Sequence, residues 1–323
     1  MLSRSLSTWT ELAAGPMPIG FGCCPMGGHG WGIVDQEQLV RAVEVALDLG
    51  VRLFDTADIY GLGASETLLG RALRGRREQA LIATKFGVRF ENGRSFHDTS
   101  VAWLRQALDL SLQRLGVNHI DLYQMHYWDK KTPLEEIVAA FECLVEQGKI
   151  RSYGVTNYDP TDALFSKGSA GLSTYSYNYN LINREREHEI LRIQRASHQV
   201  LLSWGSLGQG ILSGKYRDKA ILESSDRRHR EVYHNFHGER FVAIGDLLGK
   251  LQSVGAALDN ATLVQLALRW IIDRLPRAVP LVGIKRPEQI VDAAGVSRLR
   301  LPPAILRQID QLTAEFAEQS VLP

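Results

Sequence analysis

Short apolar runs alternate with longer amphipathic stretches along this chain. The runs cover Ile19 to Cys23, Val51 to Asp55, Ala80 to Lys85, Ile120 to His126, Ile150 to Thr156, Thr174 to Tyr179, Val200 to Trp204 and Ala278 to Ile284. Their length and continuous apolar character suit strands buried on both faces of a parallel sheet. Between the first two runs, Leu39, Val40, Val43, Ala46 and Leu47 recur at helical spacing. Asp35 is the expected N-cap of that helix and Gly50 its stop. Further helices are expected over Glu66 to Leu73 with Ser65 as cap, Thr99 to Leu115, Pro133 to Gln147, Pro160 to Lys167 and Glu185 to Ala196. Arg89 to His97 reads as a polar loop, and Leu207 to His237 as a long one of the kind that is usually functional. Helices over Glu239 to Leu258, Ala261 to Ile272, Pro287 to Ala294 and Pro303 to Phe316 complete the pattern. Strand and helix alternate throughout, so the predicted fold is α/β, a (β/α)8 TIM barrel with extra C-terminal helices.

Composition narrows the field. The 323 residues exceed the roughly 250 of a minimal barrel, and insertions absorb the difference within one domain over 1–323. A net charge of +1 gives no electrostatic footprint for nucleic acid or an anionic membrane. No run reaches the length of a membrane span, and Met1 to Thr10 lacks the apolar core of a signal peptide. Three cysteines, two of them adjacent at Cys23 and Cys24, make no disulfide framework and favour a reducing compartment. A cytoplasmic protein is the expectation. His229, His234 and His237 lack regular ligand spacing, so no metal is expected.

The chemistry gathers where strands end. Asp55, Lys85 and His126 each close an apolar run, and Tyr60 follows Asp55 by five residues. In a parallel barrel the C-terminal strand ends share one face, where active sites sit. A carboxylate, a phenol, an ammonium and an imidazole converging there suggest a proton relay rather than packing.

These residues resemble the aldo-keto reductase family. The resemblance is carried by Phe54 to Gly61 (FDTADIYG), Ala83 to Gly87 (ATKFG), Met125 to Asp129 (MHYWD), Gly154 to Tyr158 (GVTNY) and Leu207 to Tyr216 (LGQGILSGKY), in order along nearly the whole chain. It is nearest to a bacterial branch related to the potassium channel β subunits. The resemblance implies an N-terminal hairpin closing the barrel's bottom, and an NADPH-dependent reduction of an aldehyde or ketone. Tyr60 would give the proton, and Lys85 would lower the phenol's pKa from about 10. Asp55 would hold Lys85, and His126 would orient the carbonyl. The alternatives are an NAD(P)-binding regulatory subunit, and a sugar or alcohol dehydrogenase running oxidatively.

No GxGxxG follows a strand, so the dinucleotide is expected across several barrel loops instead of in Rossmann fashion. The resemblance puts Gly22, Cys23 and Asp55 beside the cofactor, Thr156 and Asn157 on its carboxamide, and Trp204 against its nicotinamide ring. Gly205, Ser206, Leu207, Gly210 and Lys215 would clasp the pyrophosphate. Gly283, Lys285, Arg286 and Gln289 open a helix, a natural anion site. Lys285 and Arg286 there favour the 2′-phosphate of NADP over NADH. Ser176 stands where relatives carry Gln, Ser206 where they carry Pro, and Ala293 where an Asn meets adenine, so cofactor affinity is expected to differ. Trp31, Tyr60, His126 and Trp128 are the expected substrate contacts, for a small carbonyl or sugar-like molecule. Arg227, Arg228 and Arg230 are candidates for an anionic substrate group. The sequence leaves room for an oligomer.

Overall fold

The computed structural model describes residues 2–158, 172–216, 222 and 225–320. The helix expected from Pro160 to Lys167 lies outside the described residues. In chain order the first half comprises α1 (Leu2–Ala14), β1 (Gly20–Gly22), α2 (Gln36–Asp48), β2 (Leu53–Asp55), α3 (Ala64–Ala72), β3 (Leu81–Phe86), β4 (Val88–Glu91), β5 (Arg94–His97), α4 (Val101–Leu115), β6 (Ile120–Met125) and α5 (Leu134–Glu146). The second half comprises β7 (Ile150–Thr156), β8 (Leu172–Asn178), α6 (Glu187–Ala196), β9 (Val200–Trp204), α7 (Gly238–Ala256), α8 (Leu263–Arg274), β10 (Ala278–Gly283), α9 (Pro287–Ala294) and α10 (Pro303–Ser320).

Eight strands close a parallel barrel in the order β1-β10-β9-β8-β7-β6-β3-β2. Successive strand residues face opposite sides. Phe54, Ile82, Tyr123 and Leu201 therefore pack outward with the helices. Leu53, Leu81, Ala83, Leu122, Val200, Leu202, Val279 and Leu281 fill the interior. Asp55, Lys85 and Gln124 continue the inward columns of β2, β3 and β6 toward the C-terminal rim. An apolar floor thus carries a polar top layer.

Two expectations change here. The chain begins with a helix, not a hairpin. Trp9, Leu12 and Ala13 lie on one face of α1 and join the interior cluster, closing the barrel's bottom. The Trp9 indole donates to Ser152 Oγ at 3.0 Å. Arg89 to His97 is not an open loop but the antiparallel hairpin β4–β5. Asn92 (φ 51°) and Gly93 (φ 77°) both adopt the left-handed conformation that a tight hairpin turn requires.

The caps are mixed. Asp35 accepts from the Glu37 and Gln38 amides and starts α2 as expected. Ser65 does not cap α3. Gly63 precedes that helix, and the Ser65 hydroxyl donates to Cys23 O at 2.8 Å. Burial beneath the first loop gives this hydroxyl a stronger claim than the helix end. The long segment after β9 contains short 3-10 turns at Gly208–Ser213, Arg227–His229 and His234–Phe236.

Candidate active site

Asp55 and Lys85 meet because of strand register. Asp55 lies level with Ala83, and Lys85 rises one pleat higher, level with Gln124. The Lys85 ammonium reaches Asp55 Oδ2 at 2.6 Å and the Thr56 carbonyl at 2.8 Å. Gln124 Nε2 donates to Asp55 Oδ1 at 3.3 Å. Asp55 and Lys85 are 5% and 4% exposed, so each charge is compensated by the other and by neighbouring dipoles.

The segment from Thr56 to Gly63 delivers Tyr60. It is anchored by Thr56 N to Ala83 O at 2.8 Å and by Asp58 N to Lys85 O at 3.3 Å. Gly61 (φ 61°) lies against Gly27, and a Cβ there would stand 2.2 Å from the Gly27 oxygen. Glycine is therefore required where the Tyr60 turn crosses the first loop. The Tyr60 ring lies 5.2 Å from Lys85 Nζ and meets the His126 ring edge-on, with centroids 5.9 Å apart. The residues expected to form the proton relay are brought together.

Their electrostatics differ from the expectation in one respect. Burial, then Cys24 and Asp55, push the Tyr60 phenol well above its ordinary pKa, not down. Burial dominates, and Lys85, paired with Asp55, does not offset it, so the phenol keeps its proton. Burial, followed by Lys85 and His97, holds His126 well below the ordinary histidine range, so its ring is neutral near pH 7.

These groups form one end of a cavity of about 1250 Å3. The cavity is lined by every expected cofactor and substrate residue except Cys23, Trp128, Arg230 and Ala293. Cys23 is fully buried, and Cys24 takes the wall position. Trp128 turns away: its indole donates to Thr132 O at 2.9 Å and packs on Tyr158. Asp129 fixes that turn by accepting from the Thr99, Lys131 and Thr132 amides. The substrate side is bounded instead by Ile59, Leu62, Val88, Phe90, Tyr127 and Tyr233.

Along the cavity, Asn157 Oδ1 accepts from the Trp204 indole at 3.1 Å, which sets that ring's orientation. Thr156 Oγ1 donates to the His126 carbonyl. Ser176 Oγ donates to Leu202 O at 2.6 Å, so only its lone pairs face the cavity. Ser206, in the position of the expected Pro, bonds Ser203 O at 2.7 Å and pins the turn by a different means. Gly205, Gly208, Gln209 and Gly210 have φ of 64°, 55°, 55° and 97°. This left-handed succession folds the turn on itself, with Gly208 N donating to Gly205 O at 2.7 Å and Gly210 N to Leu207 O at 2.9 Å. At the far end, Gln289 Oε1 accepts from the Lys285 and Arg286 amides at 2.7 and 3.2 Å. Lys215, Lys285 and Arg286 add positive charge, so the donor set fits a dinucleotide phosphate chain.

A strap crosses this cleft. Arg227 N donates to Gly30 O at 2.9 Å, and its guanidinium donates to His29 O at 3.0 Å. Arg228 forms a buried pair with Asp226 at 2.6 Å and lies 5.7 Å from the Trp31 ring. Lys285 donates to Trp31 O. Trp31 therefore belongs to the closure over the cofactor cleft more than to the substrate side. Arg227 and Arg228 are committed to the strap, and Arg230 stacks on Tyr233. His229 and His237 bond the carbonyls of Leu222 and Arg228. Sequence reasoning missed Gln124, whose signal was a polar residue at an inward pleat two positions before His126.

The profile of the Aldo/keto reductase family matches residues 18–314. The chain belongs to the aldo/keto reductase family. Aldo-keto reductase YhdN of Bacillus subtilis is 32% identical over 274 residues, 84% of this chain and 82% of that protein. The glycerol dehydrogenase AKR11B4 of Gluconobacter oxydans superposes with a TM-score of 0.85 at 30% identity, over 95% of this chain and 94% of its own. An aldo/keto reductase of Klebsiella pneumoniae, solved with NADP and acetate, gives 0.68 at 25% identity, over 92% and 91%. Among the described residues of this aldo/keto reductase, no helix is long and apolar enough to cross a membrane.

Proposed function

We propose that this aldo/keto reductase reduces an aldehyde or ketone to its alcohol with NADPH. The observation that carries the reading is the Asp55–Lys85 pair beneath Tyr60, with His126 edge-on, at the head of a cavity that continues past a glycine-rich turn to a basic helix start. NADPH, when bound, supplies the hydride to the carbonyl carbon. Tyr60 O–H supplies the proton to the carbonyl oxygen, and its high pKa keeps that proton available. Lys85, 5.2 Å from the ring, stabilises the phenolate left behind. Asp55, itself held by Gln124, and the Thr56 carbonyl keep Lys85 in position. Neutral His126 orients the carbonyl as a hydrogen-bond donor. Trp204, held by Asn157, offers a flat face for the nicotinamide, while Gly205 to Gly210, Lys215, Lys285 and Arg286 bind phosphate oxygens. The NADP complex of the Klebsiella relative supports this cofactor.

The test is loss of NADPH absorbance with a panel of aldehydes. Tyr60→Phe should lower kcat by about 10²-fold or more, since it removes the acid, and leave NADPH binding within about twofold. Normal turnover in that variant would end the proposal. The likeness to a glycerol dehydrogenase favours a second reading, oxidation of a polyol by the same groups in reverse. Initial rates in both directions, with NAD and NADP and with Lys285→Ala, separate the two. Loss of NADP preference in the variant supports the first.

A further inference from the structure

Four rings form a chain from the protein surface to the reacting end of the cavity. Tyr60 meets His126 edge-on, with centroids 5.9 Å apart. His126 stacks on Tyr127 at 5.1 Å, with an interplanar angle of 21°. Tyr127 stacks in turn on His97 at 5.0 Å, with the two planes 3° apart. Tyr127 lines the cavity, whereas His97, exposed at the end of β5, is not one of its walls. Packing, not hydrogen bonding, sets the plane of the His126 imidazole. Its Nδ1 is buried and finds no hydrogen-bond partner among the described residues. The backbone of His126 is fixed, its amide donating to Phe86 O at 2.8 Å and its carbonyl accepting from Thr156, but neither bond restrains the side chain. Such a ring takes its orientation from the aromatic faces and edges beside it.

The support under His97 is braced. Asp98 N donates to Gly87 O at 3.2 Å, closing the hairpin at its base. Arg89 pairs with Asp98 at 2.8 Å and stacks on Trp103 of α4 at 4.4 Å. Gly87, with φ 106°, runs close to the end of β6, and a Cβ there would stand 3.1 Å from the Tyr127 carbonyl. His97 also lies opposite Val88 in the hairpin register, and Val88 does line the substrate side. We propose that His97 is a positioning residue: by stacking on Tyr127 it sets the plane of the His126 ring, and so the direction from which that ring meets the carbonyl oxygen. The β4–β5 hairpin thus orients the carbonyl as well as walling the substrate side. The inference rests on the carbonyl-reduction reading for its effect on rate.

Wild type, His97→Ala and His97→Phe are compared by kcat at saturating aldehyde and NADPH, and by the ring-proton NMR resonance of His126, assigned as the histidine signal absent from His126→Gln. His97→Ala should lower kcat about three- to tenfold, the size of one lost ring pair, and shift the His126 resonance. NADPH affinity should hold within about twofold, since a pair lost outside the cleft removes no cofactor contact. His97→Phe should restore both kcat and the resonance. That variant is decisive because the charge of His97 also bears on His126, and Phe keeps the ring while removing the charge. A His97→Phe that behaves like His97→Ala overturns the proposal, as does an unmoved His126 resonance in His97→Ala. Tyr127→Leu tests the route. With the intermediate plane gone, adding His97→Ala should change kcat by less than about twofold, and a further loss as large as in wild type overturns the proposal. If Tyr127→Leu does not fold or is too slow to follow, the His126 resonance in the two His97 variants decides alone. Absent turnover in every protein sinks the carbonyl-reduction reading, whereas that resonance still decides the role of His97.

Discussion

His126 carries two constraints at once. Its ring must face Tyr60 at the cavity head, and its carbonyl must receive the Thr156 hydroxyl, so the strand end that presents it is fixed from both sides. Burial and the nearby Lys85 charge keep the imidazole neutral. In the unfolded chain it takes a proton near 6.5, in the folded chain only at lower pH. Stability from this group is therefore complete above that value and lost as pH falls, by at most about 1.4 kcal/mol per unit. Urea titrations between about pH 5 and 7 should show a shallower slope for His126→Gln than for wild type. The position of Asp55, Lys85 and His126 at strand ends was legible because each interrupts an apolar run. The protonation state of Tyr60 was not, because it depends first on burial and then on the nearby Cys24 and Asp55, which only the folded chain brings around the phenol.

Elements reach beyond their own sequence through what they touch. The hairpin β4–β5 carried its signal in Asn92-Gly93, yet its flanks are polar and exposed, so periodicity alone did not reveal a strand pair. Its Val88 and Phe90 give the substrate side a wall that the motifs did not indicate. The strap shows the same limit. A run of arginines in a polar loop has no reading until Asp226 and the carbonyls of His29 and Gly30 are known to be its partners. Asp226→Ala leaves Arg228 without its carboxylate and frees the strap. Cofactor release, followed by stopped-flow fluorescence, should become about tenfold faster, equivalent to roughly 1.4 kcal/mol. Unchanged release would mean that the strap does not bear on the cofactor.

At the scale of the whole molecule, α1 does the work expected of a hairpin. Trp9 is 1% exposed and fills the bottom of the barrel, at the opposite end from the site. Trp9→Ala should cost about 3–5 kcal/mol of unfolding free energy, read by urea denaturation, while KM for NADPH stays within about twofold. A large rise in KM would show that the floor is coupled to the rim. By itself the sequence determined the eight buried strands, the described helices between them and the polar groups at the strand ends, because apolar periodicity and strand-end chemistry are local properties. Tertiary structure decided which way Trp31 and Trp128 face, how Ser176 spends its hydroxyl and what closes the barrel. Those outcomes depend on partners distant along the chain, and on burial that exists only once the cylinder has closed.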